Sequence, residues 1–209
     1  APATVNVNNL RWNWNTPFLL SPHNPWVVYA GANRVLKSTK RGEDWQPISP
    51  DLTTRDSMKI RISATATGGI TPDVTGAELF STIVALNESP LHQGLLLVGT
   101  DDGKVWTSHD DGHNWKDHTA AFARLVPANT YVSRIEPSRA DANRFYVSFD
   151  NHRRGDFTPY VFATDDESGP HDARLLPAFD LFFVKHAVGL AHFTIGVGEQ
   201  LNAQSMLVP

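Results

Sequence analysis

At 209 residues, with 41% hydrophobic and 19% charged residues and 14 each of Gly and Pro, the chain suits an ordered, turn-rich β protein with a real core, not a disordered one. Its net charge of -4 and the lack of any basic run longer than two residues argue against a nucleic-acid partner. With no cysteine, disulfides, thiolate metal sites and a cysteine nucleophile are excluded.

In chain order, "RWNWNTPFLL" (11–20) reads as a strand, with Trp12 and Trp14 on one face and Arg11, Asn13 and Asn15 on the other. Stacked tryptophans can bind sugar rings, but such a pair more commonly belongs to a core. A strand–turn–strand unit follows over 21–49, with apolar runs, the turn Ala32-Asn33 and a second turn from Ser38 to Trp45. The insertion 50–77 exceeds an ordinary link, and reads either as a loop over a central channel or as a solvated linker. A strand in "ELFSTIVALN" (78–87) then opens a second unit, "SPLHQGLLLVGTDDGKVWTSHDDGHNWKDHT" (89–119). Asp101 and Asp102 in it read as hairpin-turn residues before Gly103. A third, looser copy runs through "TYVSRIE", "RIEPSRADANRFYVSFD" and "TPYVFATDD".

Beyond residue 166 the pattern fails: Gly169 is present, but no Trp follows it. The third unit is expected to lack its last strand. The most apolar region, 175–198, is interrupted by Asp180, Lys185, His186 and His192, too often for a membrane span, and the chain reads as soluble. No helical periodicity is evident before this final segment. The chain starts at Ala1 without a charged-then-apolar leader, so either a leader was removed or the segment comes from something longer.

Self-similarity dominates the reading. Ser38, Gly42 and Trp45 recur as Ser108, Gly112 and Trp115, and the full pattern Ser-x-Asp-x-Gly-x-x-Trp includes Asp110. A short carboxylate can accept backbone N–H groups, Gly supplies a positive φ, and Trp offers apolar surface to a neighbouring sheet. Lys40 replaces the aspartate in the first copy, which a turn tolerates at a cost on the order of 1 kcal/mol and a catalytic acid would not. Asp110 and Asp111 are therefore expected to fold a turn, and His109 and His113 to be solvated, with no metal site.

The Ser-x-Asp-x-Gly-x-x-Trp pattern resembles the Asp-box (BNR repeat) of sialidases, xyloglucan-cleaving hydrolases and sortilin-type receptors. With the linking segments, residues 10–166 resemble the large bacterial sortilin-like (VPS10-type) propeller proteins, which are often labelled glycosyl hydrolases. The resemblance implies an all-β fold, a partial β-propeller of four-stranded antiparallel blades with Asp-box turns. It places blades at about 10–49, 78–119 and 130–166 within a propeller fragment 1–166. Residues 167–209 form a divergent tail whose membership in the fold stays open. A secreted or periplasmic location is implied in the same way.

Candidate binding residues are Trp12, Trp14 and the arginines Arg153 and Arg154 of "DNHRRGDFTP", which could grip a carboxylate, although an exposed salt-bridged loop is the plainer account. Arg154-Gly155-Asp156 resembles a cell-adhesion triplet, a match common by chance. A glycosidase needs two carboxyls roughly 5–9.5 Å apart. Asp73, Glu78, Glu136 and Asp150 are the candidates, and no pair is singled out. The preferred function is a non-catalytic binding or scaffold segment of a larger secreted protein, needing no cofactor. Its expected partners are peptide or glycan ligands and the parent's remaining blades. The alternative is an Asp-box glycoside hydrolase, xyloglucanase-like or sialidase-like, acting on polysaccharide.

Overall fold

The structure is a computed structural model, and it describes residues 10–65 and 79–164 together with the strand Arg174–Leu175. Among these residues the chain is all-β in its sheets, with three antiparallel four-stranded sheets in sequence order. Sheet one is β1 (Phe18–Leu20), β2 (Val28–Gly31), β3 (Val35–Ser38) and β4 (Gln46–Pro47). Sheet two is β5 (Ile83–Glu88), β6 (Leu96–Thr100), β7 (Val105–Ser108) and β8 (Lys116–Asp117). Sheet three is β9 (Tyr131–Pro137), β10 (Phe145–Asn151), β11 (Asp156–Thr164) and β12 (Arg174–Leu175).

Register fixes the repeat residue by residue. Val28 pairs with Ser38, and Leu96 pairs with Ser108. The turn before each second strand uses the same device, a serine hydroxyl accepting a backbone N–H two residues on: Ser21 from His23, Ser89 from Leu91 and Ser138 from Ala140. The third copy keeps this serine although its Pro is displaced.

The sheets pack face to face through apolar side chains. Val27, Tyr29, Val35, Leu52, Ile83, Leu96 and Val98 are buried between sheets one and two, with Trp106 and Trp115 packed against them. Ala85, Leu97, Val105, Ile135, Val147 and Phe162 fill the space between sheets two and three. At about 25 cal/mol per Å², such strips are the main stabilising term. A glycine stands at or one residue before the end of the second strand of each of the first two sheets because the next sheet's inner strand passes there. A Cβ on Gly31 would lie 2.7 Å from Ile83 Cγ2, and one on Gly99 would lie 2.3 Å from Val132 Cγ1.

Four details differ from the sequence reading. First, residues 11–17 are not a strand: Asn13 turns the chain, its side chain accepting the Asn15 N–H and its carbonyl the Thr16 N–H and hydroxyl. Trp12 and Trp14 are consequently exposed and not core, while Arg11 turns inward. Second, helices occur: α1 (Ser57–Thr65) in the insertion and α2 (Thr119–Phe122) after sheet two. Asp56 accepts the N–H groups of Met58 and Lys59, an N-cap for α1, and Lys59 lies 5.2 Å from the Phe80 ring. Phe122 of α2 meets Phe149 and Phe162 at 5.2 and 5.5 Å. Third, sheet three does gain a fourth strand, the short β12, with Leu175 opposite Phe162. Fourth, "DNHRRGDFTP", expected as an exposed salt-bridged loop, is the tight end of the β10–β11 hairpin, with a 3-10 turn at His152–Arg154 closed by Gly155.

Candidate functional site

The acidic turn of the second unit comes first. Asp110 accepts the Ser108 hydroxyl at 3.0 Å, the Asn114 N–H at 2.8 Å and the Asn114 amide at 2.5 Å. The Asn114 N–H, with those side-chain donors, holds its carboxyl below the usual range. Ser108 Oγ in turn accepts the Gly112 N–H at 2.8 Å. Gly112 has φ of +92° and presses on Ile48 of sheet one, where a Cβ would sit 2.7 Å from the Ile48 carbonyl oxygen. Trp115 Nε1 donates to that same carbonyl at 3.1 Å and to Gly112 O at 3.0 Å. Asp111 leaves its own turn altogether. It pairs with Lys37 and accepts the Tyr29 hydroxyl at 3.1 Å, both in sheet one. The two adjacent acids thus do different work: one bonds within its turn, the other ties two sheets together. Tyr29, buried beside Glu88 and Asp111, keeps its proton well above the normal range.

In the first unit Lys40 removes the expected carboxylate, and Asp44 supplies one from four residues further on. It accepts the Ser38 hydroxyl at 2.5 Å, the N–H groups of Thr39 and Lys40 at 2.9 and 3.0 Å, and the Thr39 hydroxyl at 2.6 Å. These bonds, Ser38 foremost, lower its pKa to about 2. Ser38 Oγ accepts the Gly42 N–H at 2.7 Å, as in the second unit. Lys40 stands at the position of Asp110, and Asp44 at that of Asn114, so the carboxylate of the first unit lies outside the repeated pattern.

Of the acids considered for catalysis, the two among the described residues, Glu136 and Asp150, do not converge. Asp73 and Glu78 lie outside the described residues. Glu136 on β9 is buried and its Oε2 accepts Asn87 Nδ2 at 2.9 Å and Arg134 Nη2 at 3.0 Å. Burial raises its pKa against the pull of Arg134. Asp150 on β10 bonds the His152 ring at 2.6 Å and its N–H at 3.0 Å. Since Asp150 sits opposite Tyr131, and Glu136 is five residues further along β9, the two are roughly 16 Å apart. That is too far for either glycosidase geometry. Arg153 lies over Tyr131 at 5.5 Å, and Arg154 Nη1 donates to Ala128 O at 3.0 Å, so the two arginines diverge. Asp156 of the adhesion-like triplet is bonded by Asn151, Thr158 and Tyr160 and held well below the usual range.

Two arrangements were not visible in the sequence. The first is a buried polar cluster at one end of sheets one and two. Arg11 donates to Asp51 at 2.8 Å, Thr53 at 3.0 Å and Ser81 O at 3.0 Å. Asp102 accepts the Thr54 N–H at 2.9 Å, and Asp101 the Thr82 N–H at 2.8 Å. Burial, then the neighbouring Asp102, pushes Asp101 up to about 8. These acids stand in the β6–β7 turn as expected, but buried and bonded across to the flanking segments. Burial pushes Asp51 up too, yet the bonds from Thr53, Asn33 and Arg11 prevail and lower it.

The second is a trough of about 330 Å³ where the inner strands β1, β5 and β9 meet. Phe18, Leu19 and Val84 give it apolar walls, while Asn87, Ser133 and Arg134 give it hydrogen-bonding groups. Its described lining contains no carboxylate. Among the described residues no cluster of His, Cys, Asp and Glu could hold a metal. None of their helices is long and apolar enough to cross a membrane.

No family model matches the chain, and no curated protein matches it. Solved structures do. An ancestral GH74 enzyme aligns over 80% of this chain and 19% of its own, at 16% identity and a TM-score of 0.50. The GH74 xyloglucanase from Xanthomonas campestris aligns over 77% and 22%, at 14% identity and 0.50. The Niastella koreensis GH74 enzyme gives 78%, 23%, 15% and 0.49. The chain therefore spans about a fifth of the length of these neighbours. At such identities the likeness shows the fold. The sheets share the β-propeller fold of these structures, with no closed ring among the described residues.

Proposed function

We propose that the chain is a non-catalytic binding and scaffold segment of a larger sortilin-like β-propeller protein, secreted or periplasmic. Its turns at 38–45 and 108–115 are Asp-box turns, the first with its carboxylate moved to Asp44. The propeller portion spans 1–166 with β12 (Arg174–Leu175) added as the last strand of its third sheet, the blades lie at about 10–49, 78–119 and 130–166, and the remainder of 167–209 is a divergent tail. Peptide or glycan ligands enter the trough between β1, β5 and β9. The observation that carries this reading is the trough's lining: apolar walls with Asn87, Ser133 and Arg134, and no acid among its described lining residues, the adjacent Glu136 being held by Asn87 and Arg134. Titration of the full-length protein with arrayed oligosaccharides and peptides checks it. The expected result is a bound class whose affinity falls about tenfold in Arg134→Ala, with no new reducing ends from xyloglucan.

A second reading is a glycoside hydrolase of the Asp-box type acting on polysaccharide. It is favoured by the fold likeness to GH74 enzymes and by Glu136, whose buried carboxyl is raised and so able to hold a proton. Asp73, Glu78 and Asp150 are its other candidate acids. Reducing ends released from xyloglucan by the wild type and abolished by Glu136→Gln, with the fold intact, would establish this reading in place of the first.

A further inference from the structure

The turn of sheet two grips sheet one through Trp115 on the Ile48 carbonyl, Asp111 on Lys37 and Tyr29, and Gly112 against Ile48. Sheet one carries the same turn, and among the described residues no sheet stands in front of it. The equivalence is close. Arg41 and Asp111 each stand three residues after the serine, both left-handed with φ of 56° and 59°. Their N–H groups bond the equivalent carbonyls, Trp26 at 2.9 Å and Gly94 at 3.0 Å. Register matches Phe18 with Leu86 and Leu20 with Glu88. Yet Leu86 and Glu88 are 6% and 4% exposed, whereas Phe18 and Leu20 are 65% and 61% exposed and Trp45 is 38% exposed. The centre of this face, Val28, Ala30 and Leu36, is buried, and its rim is open.

We infer that this face of sheet one seats a further four-stranded sheet of the same polypeptide, outside the described residues, and that this sheet presents a carboxylate to Arg41. The inference rests on the propeller-scaffold reading and adds the chemistry of the neighbour. The class of occupant follows from continuity with the interface between sheets one and two. Its charge follows from a reversal: where sheet two offers Asp111 to Lys37, sheet one offers Arg41. The residue in Lys37's place on the neighbour is therefore Asp or Glu. Arg41 stacks on Trp26 at 4.0 Å, which leaves the edges of its planar guanidinium free to pair. No described sheet of this chain meets the requirement, because Thr107 and Ala163 occupy Lys37's place in sheets two and three. A second copy is thus a poor match. A longer polypeptide fits better, since structures of this fold exceed the chain about fourfold in length.

Photocrosslinking tests this in the full-length polypeptide from the native gene, with a benzophenone amino acid in place of Trp45. The expected product is an intramolecular crosslink to a sheet with Asp or Glu on its third strand. Its yield should fall at least fivefold in Arg41→Glu and return when that acid is exchanged for Lys. Arg41→Gln provides the milder variant should the charge reversal prevent folding, with an intermediate loss of yield expected. No crosslink, a crosslink between two copies, or a yield indifferent to both Arg41 variants would overturn the proposal. Ligand binding is not read, so the inference fails or stands apart from the proposed function of the trough.

Discussion

A carboxylate in a turn is only as good as the donors it faces. Asp44 and Asp110 start from different positions and each meets a serine hydroxyl and backbone N–H groups, so both are held in the ionised form. Because the folded pKa of Asp44 is lowered to about 2, its contribution is present above about pH 4 and lost as pH falls through 2. Asp44→Asn should flatten the stability loss in that window, read by urea titration from pH 5 to pH 2. Asp101 has the opposite sign. Its folded pKa is raised to about 8, so the folded state binds the proton more firmly than the unfolded chain does. The stability tied to that proton is complete below about pH 4 and lost as pH rises through 8. Asp101→Asn should therefore gain on the wild type as pH rises from 4 to 9, which paired denaturation curves at the two ends of the range would reveal. None of the Asp101 environment was legible from sequence. Two aspartates before a glycine announce a turn, and nothing local says that residues 11–13, 54 and 82 will enclose it.

The strands were the most legible elements, because β-branched and aromatic runs between Gly, Pro and Asn punctuation are read locally. Two elements were misread for local reasons as well. In α1 the apolar residues Met58, Ile60 and Ile62 alternate as in a strand, and the helix depends on its Asp56 cap and on the seat of Ser63, whose hydroxyl accepts the Phe80 N–H. Asp56→Ala should cost about 1 kcal/mol, seen as a loss of α1 amide protection in hydrogen exchange. The Trp12–Trp14 segment alternates too, but Asn13 bends it before pairing can start. The turn 108–115 acts as a staple between sheets, which makes its tryptophan an element-scale residue. Trp115→Ala should cost about 2–3 kcal/mol in global stability, less than for a fully enclosed indole because one edge is open. A double-mutant cycle on Lys37 and Asp111 should give a coupling of about 0.5–1 kcal/mol, since the Asp111 side chain is substantially exposed.

The array of three sheets, β12 excepted, could be read from the repeat, but not how its sheets approach one another or what lies between them. The trough takes its walls from segments near residues 17, 84 and 133, each in a different unit, so no sequence window contains it. The seats of the inner strands are similarly distant. Gly99→Val should cost about 1–3 kcal/mol and loosen sheet three from sheet two, because its Cβ would overlap Val132; calorimetry with near-UV dichroism would register both. The pairing of Lys40 with Asp44 carries a last consequence for how such arrays diverge. An ancestor with acids at both places would have had two acceptors for the one serine hydroxyl, and either could then change while the other kept that bond. Repeats of this kind can thus lose their recognisable signature through neutral steps while the toroidal frame persists, and kinship among them is better traced by donor geometry than by aligned letters.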